Sequence, residues 1–496
     1  MPTRYVRPFT SELVGDDGKR ITELLWGDPV HVTGAVEDGF IRARARGRPL
    51  PKKGEAEPPT GWVRADDLMP ANPLLELYVI DVGQGDSVLM RTPDDRWHLI
   101  DGGVAAEQQM TRKGAANFLR WKFLDDLGRD AVELETVILT HADEDHYGGL
   151  ANVFTGRVPM RDPFPVRIAR FFHSGIANFA AAPKTGDEVA GEVPAFPIPG
   201  QRIRRGGRFV TQLLGGKTSF RKPPRPLAPR YAAFAALVGR LEGSVARLSR
   251  DDGHLPGYAP GDGDVTIHVL GPVMETLTDG TRGLRVLGAT GVTKNGHSIV
   301  LRADYGDVRV LLTGDLNDAS QRLLLSYVPA ADFAVDVAKA CHHGAEKVEL
   351  DFIAAMQARA TVISSGDNES HAHPRPVLMG ASARYGREAV DEKGARMPPL
   401  LYSTELARSV ALCYASGVRV RPAAGGQPEQ VDLGLTDVRP DVRGQDYRKL
   451  AFLPLASDLV YGLVNVRTDG VHVLCATMEE AGTDFDVKVF RAGQAP

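Results

Sequence analysis

Along residues 1–72, short runs that alternate polar and apolar positions, among them Pro29-Val-His-Val-Thr-Gly34 and Phe40-Ile-Arg-Ala-Arg-Ala45, are cut by Gly and Pro and closed by Gly61-Trp-Val-Arg64. Period-two alternation between turn residues predicts strands, and strands this short predict a small β-barrel. After Pro70 and Pro73 the pattern changes. Leu77-Tyr-Val-Ile-Asp81, Ser87-Val-Leu-Met-Arg91 and Trp97-His-Leu-Ile-Asp101 predict three strands, and a helical stretch follows near 111–128. Thr136-Val-Ile-Leu-Thr140 is a continuous apolar run, the mark of a strand buried on both faces. Further strands are expected at 166–172, 265–270, 298–304, 308–314, 334–340 and 360–364, several joined by helical segments. Strands and helices mixed in this order predict an α/β chain, a sheet sandwich covered by helices.

At 496 residues the chain exceeds what one ordinary core supports. We divide it into a β-rich module at 1–72, a catalytic domain at 73–480 with insertions near 174–260 and 380–455, and a C-terminal tail at 481–496. No apolar run approaches the ~18 residues of a membrane span, and the N-terminus lacks a signal-peptide pattern, so a cytoplasmic protein without membrane contact is expected. The three cysteines, Cys341, Cys413 and Cys475, are widely spaced and read as small buried apolar residues. A net charge of −4 offers no global attraction to nucleic acid. One local stretch does: Arg202, Arg204, Arg205, Arg208, Lys217, Arg221, Lys222, Arg225 and Arg230 fall in a segment, 201–230, that contains no acid. Such a stretch is either a solvated loop or a contact for nucleic acid or a nucleotide.

The strongest chemical signal is Thr140-His-Ala-Asp-Glu-Asp-His146, directly after the buried strand and before Gly148-Gly149. From an extended turn, alternate residues His141 and Asp143 can face one ion, while Asp145 and His146 diverge toward a second. Two ions at ~3.5–4 Å can share a hydroxide. Val310-Leu-Leu-Thr-Gly-Asp315 ends another apolar run in an acid placed to bridge, and Val337-Ala-Lys-Ala-Cys-His342-His343 ends a third in paired imidazoles. Nitrogen and oxygen donors suit Zn²⁺, Mn²⁺ or Fe, the first two above all.

These blocks resemble the metallo-β-lactamase superfamily, and within it the ComEC-like branch. Val79-Ile-Asp-Val-Gly-Gln-Gly-Asp-Ser87 resembles that branch's opening strand and turn, and His98-Leu-Ile-Asp101-Gly-Gly its first motif. Asn295-Gly-His-Ser298, Leu312-Thr-Gly-Asp315, His342-His343-Gly344, Ser364-Ser-Gly-Asp-Asn368 through His373-Pro374, and Tyr461-Gly-Leu-Val-Asn-Val-Arg-Thr-Asp-Gly470 follow in family order. The run from Trp26 to Leu68 resembles a bacterial Src-homology-3-like domain, whose ligand is unknown.

The resemblance implies an αββα sandwich with two divalent ions at one edge, held by His141, Asp143, Asp145, His146, Asp315 and His343. It makes Asp101 an acid that orients ligands. Two departures stand out. Asp143 occupies a position where the wider superfamily has His, and His297 lies too late in its strand to match the third superfamily histidine. We therefore expect His297, with Asn295, Gln84 and Asp86, to support ligands or face substrate. The implied chemistry is hydrolysis by a metal-bridging hydroxide, with Asp145 at the centre and His373 or His342 protonating the leaving group. A phosphodiesterase or nuclease is the leading expectation. A hydrolase of a small ester, lactone or β-lactam, and a non-catalytic metal-bound binding module, are the alternatives.

Overall fold

The computed structural model describes residues 2–45, 58–109, 114–159, 161–200, 203–366, 373–405, 414–415, 435–436, 462–478 and 485–493. In the N-terminal module seven strands form one antiparallel sheet in the order Arg20–Leu25, Thr10–Val14, Thr60–Arg64, Phe40–Arg44, Pro29–Glu37, Thr3–Val6, Leu68–Met69. Its inward residues, including Val6, Leu13, Leu24, Val30 and Val63, make a core of their own. Among the described residues no ladder joins the two outer strands.

This module is fastened to the rest of the chain. Leu25 and Trp26 pack with Leu74, Leu474 and Ala476. The buried Arg467 guanidinium lies 2.7 Å from Asp28, and His31 Nε2 reaches the Asp126 carbonyl at 2.7 Å.

The remainder is a helix–sheet–sheet–helix sandwich. One sheet has nine strands and the other six. Between them lies an apolar layer contributed by both, for instance Leu77, Val88 and Ile138 from the first and Ile267, Leu301 and Val310 from the second. The outer face of the nine-stranded sheet is covered by Ala115–Arg120, Glu144–Thr155 and Pro229–Val238, that of the six-stranded sheet by Asp318–Tyr327, Leu350–Met356 and Pro376–Tyr385. Because strands such as Val132–Leu139 are buried on both faces, they appear in the sequence as continuous apolar runs. No described helix is long and apolar enough to cross a membrane.

Three of the segments set apart in the sequence carry strands. The supposed tail contains a strand, Phe485–Arg491, paired along its length with His472–Met478; its alternating exposure is that of an edge strand with one face on the core. The insertion near 174–260 is not wholly peripheral. Ser244–Arg247 is the outer strand of the nine-stranded sheet, and Glu188–Glu192 with Gly206–Val210 builds a small sheet with Arg282–Arg285 and Glu275–Thr276. The region near 380–455 begins inside the sandwich, since Leu400–Ser403 pairs in parallel with Ala360–Ile363. Most of the rest of that region, with Cys413, Arg202 and His371, lies outside the described residues. Cys341 and Cys475 are buried free thiols.

Candidate metal centre

Strand ends from both sheets deliver the site. Trp97–Ile100 and Val132–Leu139 run parallel, Ile100 opposite Ile138, so Asp101 and the Thr140–His146 turn emerge side by side. From the other sheet, Val308–Leu312 and Val337–Lys339, also parallel, carry Asp315 and the His342-His343 pair to the same edge. Asp145 and His146 sit in the first turn of the helix Glu144–Thr155. His342 and His343 both take left-handed backbone, φ 47° and 53°, an uncommon conformation for residues other than glycine. It aims both rings inward. The Gly83–Gly85 turn closes against the helix start so tightly that a Cβ on Gly85, at φ +97°, would lie 1.7 Å from the Asp145 carbonyl oxygen.

The imidazoles converge on one carboxylate oxygen. Asp315 Oδ2 lies 3.1 Å from His343 Nε2, 3.3 Å from His146 Nε2, 3.6 Å from His342 Nε2 and 3.9 Å from His141 Nε2. Asp145 Oδ2 is 3.7 Å from His343 Nε2. The Nε2 atoms of His141, His146 and His343, and Asp315 Oδ1, are buried without a well-directed hydrogen bond. Buried polar atoms are almost always satisfied, so four orphans facing one point call for a ligand. Among the described residues, His141, His146 and Asp315 form one group of donors close enough to share an ion, and Asp145, His146 and His343 another. The donor set fits a divalent cation.

Two of the rings, His146 and His343, are oriented from behind. His146 Nδ1 donates to Asp101 Oδ2 at 2.8 Å, and Asp101 also accepts from the Thr140 amide and hydroxyl at 2.8 and 2.6 Å. His343 Nδ1 lies 3.0 Å from Asp86 Oδ1 and 3.2 Å from the Ser364 carbonyl. Asp86 in turn is clamped by the buried ammonium of Lys339. The electrostatics favour positive charge at this point. Burial opposes protonation of His146, but Asp315 and Asp101 outweigh it and raise that ring well above its ordinary value; Asp315 and Asp86 likewise lift His343 to about 10 against its burial. Burial is opposed at Asp315 by His343 and His146, which hold it well below the carboxylate range. Burial pushes His141 well below the usual histidine value. A field that retains protons on two rings also attracts a metal cation in their stead.

A cavity of about 540 Å³ opens over the centre, walled by Gln84, Asp145, Asn295, His342, His373 and Arg375 among others. His373 stands with its ring 5.8 Å from that of His342. Two of the expected site residues have other partners. His297 is turned out of the cavity: it is buried, and its Nε2 donates to the Arg285 carbonyl at 2.7 Å, which burial accompanies with a fall in pKa to about 4. Asp143 Oδ2 lies 3.8 Å from His141 Nε2, while the Lys294 ammonium sits on Oδ1 and the Asn295 amide, oriented to satisfy both partners, donates to Oδ2 at 2.8 Å.

The sequence reading missed both lysines. Lys339 was legible only as a charge inside an apolar strand, a placement that demands a partner; Lys294 carried no local signal. Several residues of the basic stretch have partners within the chain. Arg205, Arg208 and Arg225 pair with Glu192, Glu188 and Asp187, and Lys217 and Arg221 bind the carbonyls of Leu241 and Gly239. Arg230 reaches the centre's margin, 2.6 Å from Glu144.

The Metallo-beta-lactamase superfamily model matches residues 80–213. The chain is 23% identical over 317 residues to ComE operon protein 3 of Bacillus subtilis (strain 168), covering 62% of this chain and 31% of that protein, so it spans about a third of that relative. Two solved structures resemble it. One, described as a metal-dependent hydrolase of the beta-lactamase superfamily, is 12% identical, with a TM-score of 0.31, covering 67% of this chain and 96% of its own. The other, a variant of the beta-hydroxylase CmlA, is 11% identical, with a TM-score of 0.27, covering 71% of this chain and 66% of its own. It is residues 80–213 of the chain that are similar to the metallo-beta-lactamase superfamily.

Proposed function

We propose that this protein is a metal-dependent hydrolase of phosphodiester bonds. The observation that carries the proposal is the convergence of four imidazole Nε2 atoms on Asp315 Oδ2, beneath a cavity whose wall includes Arg375 and Lys347. Asp145, His146, His343 and Asp315 would hold the ion, with His141 beside them. Once bound, it supplies Lewis-acid stabilisation and lowers the pKa of water.

The chain's own groups do the rest. Arg375 and Lys347 attract a phosphodiester to the cavity by charge, and the acidic Glu144 at its rim is engaged by Arg230. His342, whose side chain keeps 32% of its surface exposed, and His373 face the cavity where a leaving alkoxide needs a proton. Asp101 and Asp86 keep the ring nitrogens of His146 and His343 pointed at Asp315. Residues 1–72, resembling a Src-homology-3-like domain, serve in this reading as a fixed flank rather than a swinging arm, because Arg467 and Trp26 anchor them.

The test is hydrolysis of bis-p-nitrophenyl phosphate and of single-stranded DNA by wild type, Asp315→Ala and Asp145→Ala, with Zn²⁺ or Mn²⁺ supplied and metal content measured in parallel. Ion-dependent cleavage lost in both variants is expected. Metal uptake with turnover of a small ester or β-lactam, and none of a phosphodiester, would transfer the assignment to acyl substrates.

A further inference from the structure

We infer that the ammonium group of Lys294 takes the place of a second metal ion, so that the centre binds one divalent cation per chain. The inference rests on the metal-dependent reading above and concerns how that site is filled.

The argument starts from Asp143. An ion held by His141, His146 and Asp315 would have Asp143 as a neighbouring donor, His141 Nε2 lying 3.8 Å from Asp143 Oδ2. Both oxygens of that carboxylate are already engaged. Lys294, in the last turn of the helix Thr290–Gly296, sets Nζ on Oδ1. Asn295, the next residue, donates its amide to Oδ2 at 2.8 Å and to the Gly291 carbonyl at 2.7 Å. The lysine is not a surface side chain that strays inward, because only 12% of it is exposed.

Among the described residues, no group of three or more donors close enough to share an ion contains Asp143, whereas Asp145, His146, Asp315 and His343 each appear in at least one. A carboxylate that is largely desolvated needs an opposite charge. Here the chain supplies that charge covalently. An ammonium and a dication held by the same carboxylate would repel one another in a site shielded from water, so the two occupants are alternatives. Lys294 is thereby a positioning residue: it neutralises Asp143 and, through it, fixes the turn that presents His141 and Asp145.

The experiment is metal stoichiometry on the full chain, stripped with a chelator, reloaded with Zn²⁺ or Mn²⁺, desalted and measured by elemental mass spectrometry. Wild type is expected to retain one ion. Asp143→Asn should still retain one, because the residue is not a ligand, while Asp145→Asn should lose it. Lys294→Met frees Asp143 and is expected to take up a second ion. Two ions in wild type, falling to one in Asp143→Asn, would overturn the inference and leave the metal-dependent reading intact; so would a Lys294→Met protein that folds, keeps the first ion and gains none. No ion in wild type would defeat the metal-dependent reading itself. Circular dichroism on each variant separates misfolding from altered binding, and the Asp143→Asn arm decides the matter should Lys294→Met not fold.

Discussion

Asp101 Oδ2 accepts the Nδ1 proton of His146 at 2.8 Å, and this one bond selects the ring nitrogen that faces Asp315. Carboxylates behind metal-binding histidines set tautomer and ring angle, and removing them weakens metal binding. Asp101→Ala is therefore expected to lower metal affinity roughly 10- to 100-fold, read by competition with a chelator of known strength. Unchanged affinity would mean that the helix alone holds His146 in place.

Lys339 and Asp86 form a buried pair with 3% of each side chain exposed. Removing one partner leaves an uncompensated charge, so Lys339→Met should cost about 3–5 kcal/mol, measured by denaturant unfolding. The double variant Lys339→Met, Asp86→Leu should recover part of that stability but not metal affinity, because His343 Nδ1 then keeps only the Ser364 carbonyl. Equal loss in the single and double variants would argue against the pairing.

Gly85 lies where a Cβ would collide with the backbone of Asp145, and its φ of +97° is itself costly for any other residue. Gly85→Ala should destabilise by roughly 1–3 kcal/mol from the backbone conformation alone. It should also weaken metal binding by displacing Asp145. An alanine variant of native stability and affinity would show that the turn can move away without cost.

His98, His173 and His297 are buried, and burial lowers them from 6.5 to about 3, 4 and 4. The unfolded chain therefore binds more protons than the folded one between about pH 4 and 6.5. Their contribution to stability is fully present above pH 6.5 and is lost as pH falls toward 4. For His297 alone the difference is about 3 kcal/mol. His297→Gln should flatten the pH dependence of the unfolding free energy across that window; a slope identical to wild type would assign the acid sensitivity elsewhere.

Arg467 crosses from the sandwich to the N-terminal module, 2.7 Å from Asp28 and hydrogen-bonded to the Trp26 carbonyl. Arg467→Met is expected to lower stability by about 3–5 kcal/mol and to increase proteolytic cutting between the modules. Unaltered cleavage kinetics would show that the apolar contacts of Trp26 and Leu474 suffice.

Much of the fold can be read along the chain because the signals are local. The apolar run at 136–140, the glycines of the 83–85 turn and the strand runs at 308–314 and 334–340 each carry their signal within a few consecutive residues, and the structure places strands or turns there. The tail was misjudged for a physical reason. Phe485–Arg491 is an edge strand with one dry face, so half its positions are free to be polar.

The sequence by itself determined the chemistry on offer: a turn carrying His141, Asp145 and His146 at the end of a buried strand, with Asp315 and His343 at two other strand ends. Spacing within one strand or one turn fixes direction, and direction is what a ligand motif encodes. Only the tertiary structure decided which donors share a point and which are already taken. Lys294 and Asp143 are 151 residues apart, and His297 faces Arg285 rather than the cavity. No local period records such pairings, because they arise where two separately wound sheets bring their strand ends to one edge.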